Sequence, residues 1–105
     1  MVGDDYKERC LEFLGTPYEL GGEDLTGTDC SGILRAYFNV EFTANDFYRR
    51  LFIHQTGRIG AVFLTDEEDF AYHVMPEVGK GVVLDATTRE GVILRSWNEG
   101  ILRYI

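Results

Sequence analysis

The stretch TDCSGILRAYFN, residues 28–39, predicts a helix with a cysteine at its start. Its apolar side chains recur at helical spacing: Ile33, Leu34, Tyr37 and Phe38. Asp29 is placed to cap this helix, which we expect to run from Cys30 to about Asn39. The unpaired amides and the positive end of the helix dipole in a first turn favour an anion, here a thiolate. Cys30 is therefore either a nucleophile or a small packed thiol.

Two further helices are predicted, one on each side of the first. The earlier helix starts after Asp4 or Asp5 and ends at Gly15. Its apolar face is formed by Tyr6, Cys10, Phe13 and Leu14. The later helix is expected from Thr43, which would cap it, through Phe52. The glycine-rich segment between the first two helices is expected to be irregular.

The second half of the chain has the pattern of consecutive strands. Short segments rich in valine, isoleucine, leucine and aromatic residues alternate with acidic or glycine-containing turns: AVFLT (61–65), AYHVM (71–75), GVVLDAT (81–87), GVILRSW (91–97) and, as a further candidate, ILRYI (101–105). Helices followed by a meander of strands predict an α+β fold, with N-terminal helices packed on one face of a C-terminal antiparallel sheet.

Length and composition narrow the class of protein. The 105 residues are expected to form one domain, residues 1–105, with enough chain for a single core. Eighteen acidic against ten basic residues give a net charge of −8, which opposes binding to nucleic acid. No apolar run is long enough to cross a membrane, so no membrane partner is expected. The start of the sequence lacks the pattern of a signal peptide. We therefore expect a location in the cytoplasm, unless another protein carries the chain out or it is a domain excised from a secreted protein.

The two cysteines do not form a disulfide framework or a zinc-binding pattern. Cys10 is expected to be a buried small hydrophobe, and no Cys and His spacing resembles a metal site. A cysteine nucleophile would need a base, and the sequence offers two histidines. His54 is interpreted as a surface or loop residue, whereas His73 falls inside a predicted strand.

Cross-strand pairing brings a carboxylate to His73. If the hairpin after AYHVM turns at Gly79, His73 and Asp85 are direct neighbours on adjacent strands. A slip of one residue would instead place Leu84 or Ala86 opposite His73. Each residue alone has a structural interpretation: a packed thiol, a hydrogen-bonded strand histidine and a strand-end cap. Together they form a Cys, His and Asp set of the kind used for acyl transfer.

The run FLGTPYELGGEDLTGTDCSG, residues 13–32, resembles the NlpC/P60 family of cysteine peptidases. It is similar to that family's Gly-x-Pro-Tyr-x-x-Gly-Gly segment, followed by Asp-Cys-Ser-Gly at a helix start. A weaker match is GAVFL at residues 60–64, followed by YHV and then VVLDAT. The resemblance extends from the first predicted helix to about Trp97.

The resemblance implies a papain-like core and a role for each matching residue. Cys30 would be the nucleophile, His73 the general base and Asp85 the orienting residue. Tyr18 would line the site, and Asp29 and Ser31 would contribute to substrate binding. The implied reaction is hydrolysis of amide bonds in peptidoglycan stem peptides or muropeptides, typically between γ-D-glutamate and a diamino acid. It implies no cofactor and no metal, and it allows a partner in a phage or wall assembly and a location in a phage particle.

The sequence departs from the family pattern at three places, and two alternative functions stay open. Asp85 replaces the commoner histidine, Ala61 replaces an acidic residue, and Met75 with Pro76 replaces a glycine-containing strand. Proline contributes no ladder donor and suits a strand end or edge. One alternative is an inactive NlpC/P60-like structural or binding module. The other is a papain-like hydrolase or acyltransferase acting on another amide or ester.

Overall fold

Helices precede the main sheet in the computed structural model, which describes residues 5–51, 60–97 and 99–104. The helices in these ranges are α1 (Tyr6–Leu11), α2 (Gly32–Phe38) and α3 (Ala44–Arg50). The strands are β1 (Glu23–Asp24), β2 (Gly27–Thr28), β3 (Gly60–Thr65), β4 (Ala71–Gly79), β5 (Val82–Thr87), β6 (Gly91–Ser96) and β7 (Ile101–Tyr104). No helix within these ranges is long and apolar enough to cross a membrane.

The five longer strands form one antiparallel sheet in the order β6-β5-β4-β3-β7. Strands β3 to β6 are therefore a meander, and β7 returns to pair with β3 at the opposite edge. The predicted α+β class is confirmed, as are the five strand segments. The short β1–β2 hairpin lies in the glycine-rich segment that was expected to be irregular.

Side chains alternate between two apolar clusters on the two faces of the sheet. Phe63, Val74 and Leu84 join the larger cluster, which includes buried side chains of all three helices. Their chain neighbours Val62, Met75 and Val83 form a smaller cluster. The helices thus pack on one face, as the sequence predicts. Of the side chains predicted to form the apolar face of the first helix, Cys10 is buried as expected, but Leu14 is 47% exposed and does not belong to that face.

The helix ends differ from the predicted ends. The α-helix α1 stops at Leu11 instead of Gly15, and the chain continues in tighter turns, such as Leu14 N–H donating to the Leu11 carbonyl at 3.1 Å. Helix α2 begins at Gly32, so Cys30 lies in the turn before the helix and not in its first turn. For α3, Thr43 is the cap as predicted, in a reciprocal capping box with Asp46. The predicted ends at Asp4 and Phe52 lie outside the described residues.

The predicted register of the β4–β5 hairpin was wrong. Glu77 pairs with Val83, whereas a turn centred on Gly79 would pair it with Gly81. The reversal is made by Lys80 and Gly81, whose positive φ of 71° suits glycine, and the pairing shifts irregularly between Glu77 and Gly79. At this pair, β5 is displaced by two residues relative to the predicted pairing with β4. Because side chains alternate between faces, a displacement of two residues keeps each side chain on the predicted face.

Strand β4 continues through Pro76, which the sequence placed at a strand end or edge. Pro76 pairs with Ala61 of β3, and β4 lies in the interior of the sheet. Counted away from the turn, the β4–β5 pairs are Gly79–Val82 and then Glu77–Val83. Pro76 is the next residue of β4, just beyond the last of these pairs. A residue without an amide N–H is tolerated at such a position because one of the two ladders ends there.

The outer edge of β6 is joined by the loop that follows α1. Gly15 N–H donates to the Val92 carbonyl at 2.9 Å, and Val92 N–H donates to the Thr16 carbonyl at 3.0 Å. Gly91 has a positive φ of 74°, and a β-carbon there would collide with the Thr16 carbonyl oxygen. This loop is thereby fixed to the sheet immediately before the segment that leads to Cys30.

Candidate active site

Close backbone packing determines the position of Cys30. The half-buried cysteine occupies the turn between β2 and α2. Asp29 N–H donates to the Gly22 carbonyl at 3.2 Å, and the same carbonyl approaches Gly32 so closely that a β-carbon at Gly32 would collide with it. The glycines of this motif are therefore required by contact between two backbone segments.

The carboxylate of Asp29 binds both segments of this loop. Its Oδ2 accepts the Gly21 N–H at 2.8 Å, and its Oδ1 accepts the Gly32 N–H at 2.9 Å. Although the cap residue of α2 is Ser31, Asp29 does bind an amide at the helix start, as the sequence suggested. Asp29 and Ser31 are both buried, and Ser31 Oγ lies 3.4 Å from Asp29 Oδ1.

Arg35 is a functional candidate that the sequence interpretation missed. Its guanidinium donates to Asp29 Oδ1 at 2.9 Å, to the Gly22 carbonyl at 3.0 Å and to Glu23 at 3.0 Å. It also donates to the hydroxyl of Ser31. A nearly buried cation compensates the buried Asp29 carboxylate, and this pair locks the cysteine turn onto α2. The available sequence signal was the position of Arg35, about one turn into the predicted helix that follows Asp29.

On the sheet, His73 and Asp85 meet despite the shifted register. His73 Nε2 and Asp85 Oδ1 are 2.9 Å apart, and both side chains are largely buried. Because the residues are offset by two instead of directly opposite, the contact runs diagonally between β4 and β5, which remains within reach of a histidine. Asp85 Oδ2 accepts a hydrogen bond from Arg95 Nε at 2.8 Å. Arg95 was also missed, although the β5–β6 hairpin places it two residues from the position opposite Asp85.

Hydrogen bonds keep His73 protonated. Burial alone would lower the pKa of His73, but hydrogen bonds to Asp85 and Cys30 outweigh it and raise the pKa to about 9. The hydrogen bond from His73, with that from Arg95, lowers the pKa of Asp85 against the opposing effect of burial. At neutral pH both ring nitrogens carry protons. Nε2–H donates to Asp85, and Nδ1–H is left for Cys30.

Tyr18 lies beside the same cysteine. Its backbone bridges to Thr28, next to the cysteine turn. Partial burial raises the pKa of the Tyr18 hydroxyl, and electrostatic interactions with Cys30 and Asp29 raise it further. The structure thus brings Tyr18, Cys30, His73 and Asp85 together. Asp29 and Ser31 flank Cys30 in the same turn, and both are buried. His54 lies outside the described residues.

A thiol, an imidazolium and an orienting carboxylate form an arrangement suited to nucleophilic acyl transfer. Within the part of the chain that the structure describes, no group of three or more histidine, cysteine, aspartate and glutamate side chains is arranged to hold a metal ion.

Comparison with known sequences identifies relatives that cover most of the chain. The model of the NlpC/P60 family matches residues 15–104. A probable endopeptidase from Haemophilus influenzae is 35% identical over 102 residues, which cover 87% of this chain and 63% of that protein. The chain thus spans just under two thirds of the length of this curated relative.

Solved structures share the fold at lower sequence identity. The NlpC/p60 domain of the peptidoglycan hydrolase SagA aligns with a TM-score of 0.76 and 24% identity, over 100% of this chain and 99% of that one. An NlpC/P60 family protein from Bacillus cereus aligns with a TM-score of 0.73 and 19% identity, over 94% of this chain and 36% of that one. NlpC1 from Trichomonas vaginalis aligns with a TM-score of 0.67 and 24% identity, over 88% of this chain and 38% of that one.

Proposed function

The chain belongs to the NlpC/P60 family, and on that premise we propose that it is a cysteine peptidase acting on peptidoglycan stem peptides. The proposed bond is the amide between γ-D-glutamate and a diamino acid. The observation that carries the proposal is the continuous contact from Cys30 through His73 to Asp85. The endopeptidase relative and the peptidoglycan hydrolase domain of the same fold support the substrate class.

The first half of the proposed reaction begins from a thiolate and imidazolium pair. Cys30 Sγ attacks the carbonyl carbon and forms a tetrahedral oxyanion, which the Cys30 backbone N–H helps to hold. The carbon–nitrogen bond then breaks, and the proton on His73 Nδ1 passes to the leaving amine. A thioester between Cys30 and the γ-glutamyl group remains. His73 is now neutral, and Asp85 keeps the ring in place through Nε2.

The second half restores the enzyme. Neutral His73 takes a proton from water through Nδ1, and the hydroxide equivalent attacks the thioester carbonyl. The carbon–sulfur bond breaks to release the carboxylic acid, and Cys30 returns as the thiolate beside the imidazolium. Aspartate at position 85 fits this cycle because its charge stabilises the imidazolium that is present at the start and forms again when His73 takes a proton from water.

Tyr18, Asp29 and Ser31 have different proposed contributions to substrate binding. Tyr18 is half-buried beside Cys30, where its ring can contact a bound peptide. Asp29 and Ser31 are buried and hydrogen-bonded to protein groups, so any contribution to a substrate amine acts at the inner wall of the site. Substrate binding by these two residues stays a prediction.

The test is cleavage of defined stem peptides, with products separated by liquid chromatography and identified by mass spectrometry. We expect the parent chain to release a new γ-glutamyl carboxylate and a new amine in equal amounts. Cys30→Ala should abolish turnover and leave the circular dichroism spectrum unchanged. Cys10→Ala is the matched control, since the buried Cys10 thiol, whose pKa burial raises to about 12, takes no part.

Two outcomes would contradict the proposal. A Cys30→Ala protein that cleaves at the parent rate would remove Cys30 from the mechanism. A parent protein that cleaves no stem peptide but forms a thioester with other amides or esters would instead assign the same site to a papain-like hydrolase or acyltransferase.

A further inference from the structure

We propose that Arg95 is a positioning residue that holds the Asp85 carboxylate in the orientation His73 requires. The inference rests on the proposed function, because it assigns Arg95 to the same thiol and imidazole site. It goes beyond that function by adding a fourth residue, which acts through Asp85 and does not contact the reacting atoms.

The two oxygens of Asp85 have different partners. Oδ1 lies 2.9 Å from His73 Nε2, and Oδ2 lies 2.8 Å from Arg95 Nε. The partners come from the two strands that flank β5, since His73 is in β4 and Arg95 is in β6. A carboxylate bound on both sides cannot rotate without breaking one of the two hydrogen bonds.

Backbone pairing does not provide this restraint. The β4–β5 pairing ends at Glu77 and Val83, before the level of His73 and Asp85. On the other side, β5 and β6 are paired along their whole length, with Val83 opposite Arg95 and Asp85 opposite Ile93. Arg95 therefore lies on a strand that is paired with β5 along its whole length. Its hydrogen bond restrains the Asp85 carboxylate at a level where β5 has no backbone pairing with β4.

Charge gives Arg95 a second contribution. The Asp85 side chain is only 11% exposed, and burying an uncompensated carboxylate is costly. When His73 is neutral, as after the proposed proton transfer, Arg95 is the cationic partner that Asp85 keeps. The Arg95 guanidinium therefore compensates the Asp85 carboxylate at both stages.

The experiment measures the rate at which iodoacetamide alkylates Cys30, followed by mass spectrometry of the peptide that contains it. Arg95→Met is made in the parent and in Asp85→Asn, with Arg49→Met as the matched control because Arg49 binds Asp69 at an exposed site. We expect Arg95→Met to slow alkylation about 10-fold in the parent and less than 2-fold in Asp85→Asn. Arg49→Met should leave the rate unchanged.

A nitrogen-15 spectrum of histidine supplies an independent readout. The Nε2–H signal of His73 should exchange slowly in the parent and be broadened or lost in both Arg95→Met and Asp85→Asn. If Arg95→Met does not fold, Arg95→Lys replaces it and should give a partial effect, because it keeps the charge without the planar Nε donor.

Two results would overturn the inference. One is an Arg95→Met protein with the parent's alkylation rate and His73 signal. The other is a slowing that persists at full size in Asp85→Asn, which would show that Arg95 does not act through Asp85. Alkylation needs no peptidoglycan, so failure of the stem-peptide assay leaves this test intact, and failure of this test leaves that assay intact.

Discussion

The two halves of the site are held by different kinds of interaction. Cys30 is fixed within a short contiguous segment by glycine backbone contacts and by the buried pair of Asp29 and Arg35. His73 is held by Asp85, which is held in turn by Arg95, and these three side chains come from three strands and lie up to 22 residues apart in the sequence. The cysteine half therefore depends on close backbone packing in addition to one charged pair, whereas the histidine half is held by hydrogen bonds between charged side chains.

This difference predicts separate consequences of mutation. A change in the cysteine half should disturb the fold and the thiol together, because the backbone segments cannot separate without moving Cys30. A change in the histidine half should alter reactivity with little effect on the fold, since the strands are also held by the ladders of the sheet. Three changes test this contrast, in decreasing order of expected effect.

Gly32→Ala should have the largest effect. Its β-carbon would collide with the Gly22 carbonyl and the Thr28 hydroxyl, and we expect a loss of about 3 kcal/mol in the free energy of unfolding. Cys30 alkylation should fall with it. Gly79→Ala is the control, because its β-carbon would lie 3.6 Å from Val82, an ordinary contact. Urea unfolding of both variants checks this, and equal stabilities would refute the backbone packing argument.

Asp85→Asn should lower reactivity more than it lowers stability. The amide lacks the charge that favours the His73 imidazolium, so we expect Cys30 alkylation and peptide turnover to fall roughly 100-fold. The melting temperature should change less than in Gly32→Ala. Asp24→Asn, at an exposed carboxylate on β1, is the control. An Asp85→Asn protein with the parent's rates would leave Asp85 a structural residue and nothing more.

The smallest effect is a pH dependence of stability that His73 contributes. Its folded pKa of about 9 lies above the ordinary 6.5, so the stabilisation is fully present below pH 6.5 and is lost as the pH rises through 9. Between pH 7 and 8.5 the parent should lose about 1.5 kcal/mol relative to His73→Gln. The comparison cancels the contribution of Cys10, which both proteins share. Parallel stability curves would mean that folding does not raise the pKa of His73.

The same contrast explains how much the sequence predicted. The glycine, proline and Asp-Cys-Ser-Gly pattern around Cys30 is visible because close backbone contacts demand glycine at fixed positions in one continuous run. The α+β class followed from the change in periodicity between helices and strands. The Thr43 cap was also predictable, since its partner Asp46 lies three residues away. All of these features depend on neighbours in the chain.

Features that depend on register were predicted less well. The meeting of His73 and Asp85 was predicted, but with the wrong pairing, because the turn residue is Gly81 and an irregularity precedes it. Arg95 was missed because its contact with Asp85 depends on the register of a second hairpin, β5–β6. Helix α2 began two residues later than expected, since a hydrogen-bonded turn at residues 29–32 precedes it. Residue propensities do not predict these strand registers and helix ends, because both depend on how the backbone packs.

The hydrogen bonds between the loop at Gly15 and Thr16 and the edge of β6 have a consequence for self-association. A free strand edge offers unpaired amides and carbonyls to a second copy of the same chain, and natural sheets commonly cover or blunt such edges. At Val92 both backbone groups are already bound by the chain itself. The segment that leads to the cysteine thus covers this edge of the sheet at Val92, and we expect changes that loosen it to lower solubility as well as the reactivity of Cys30.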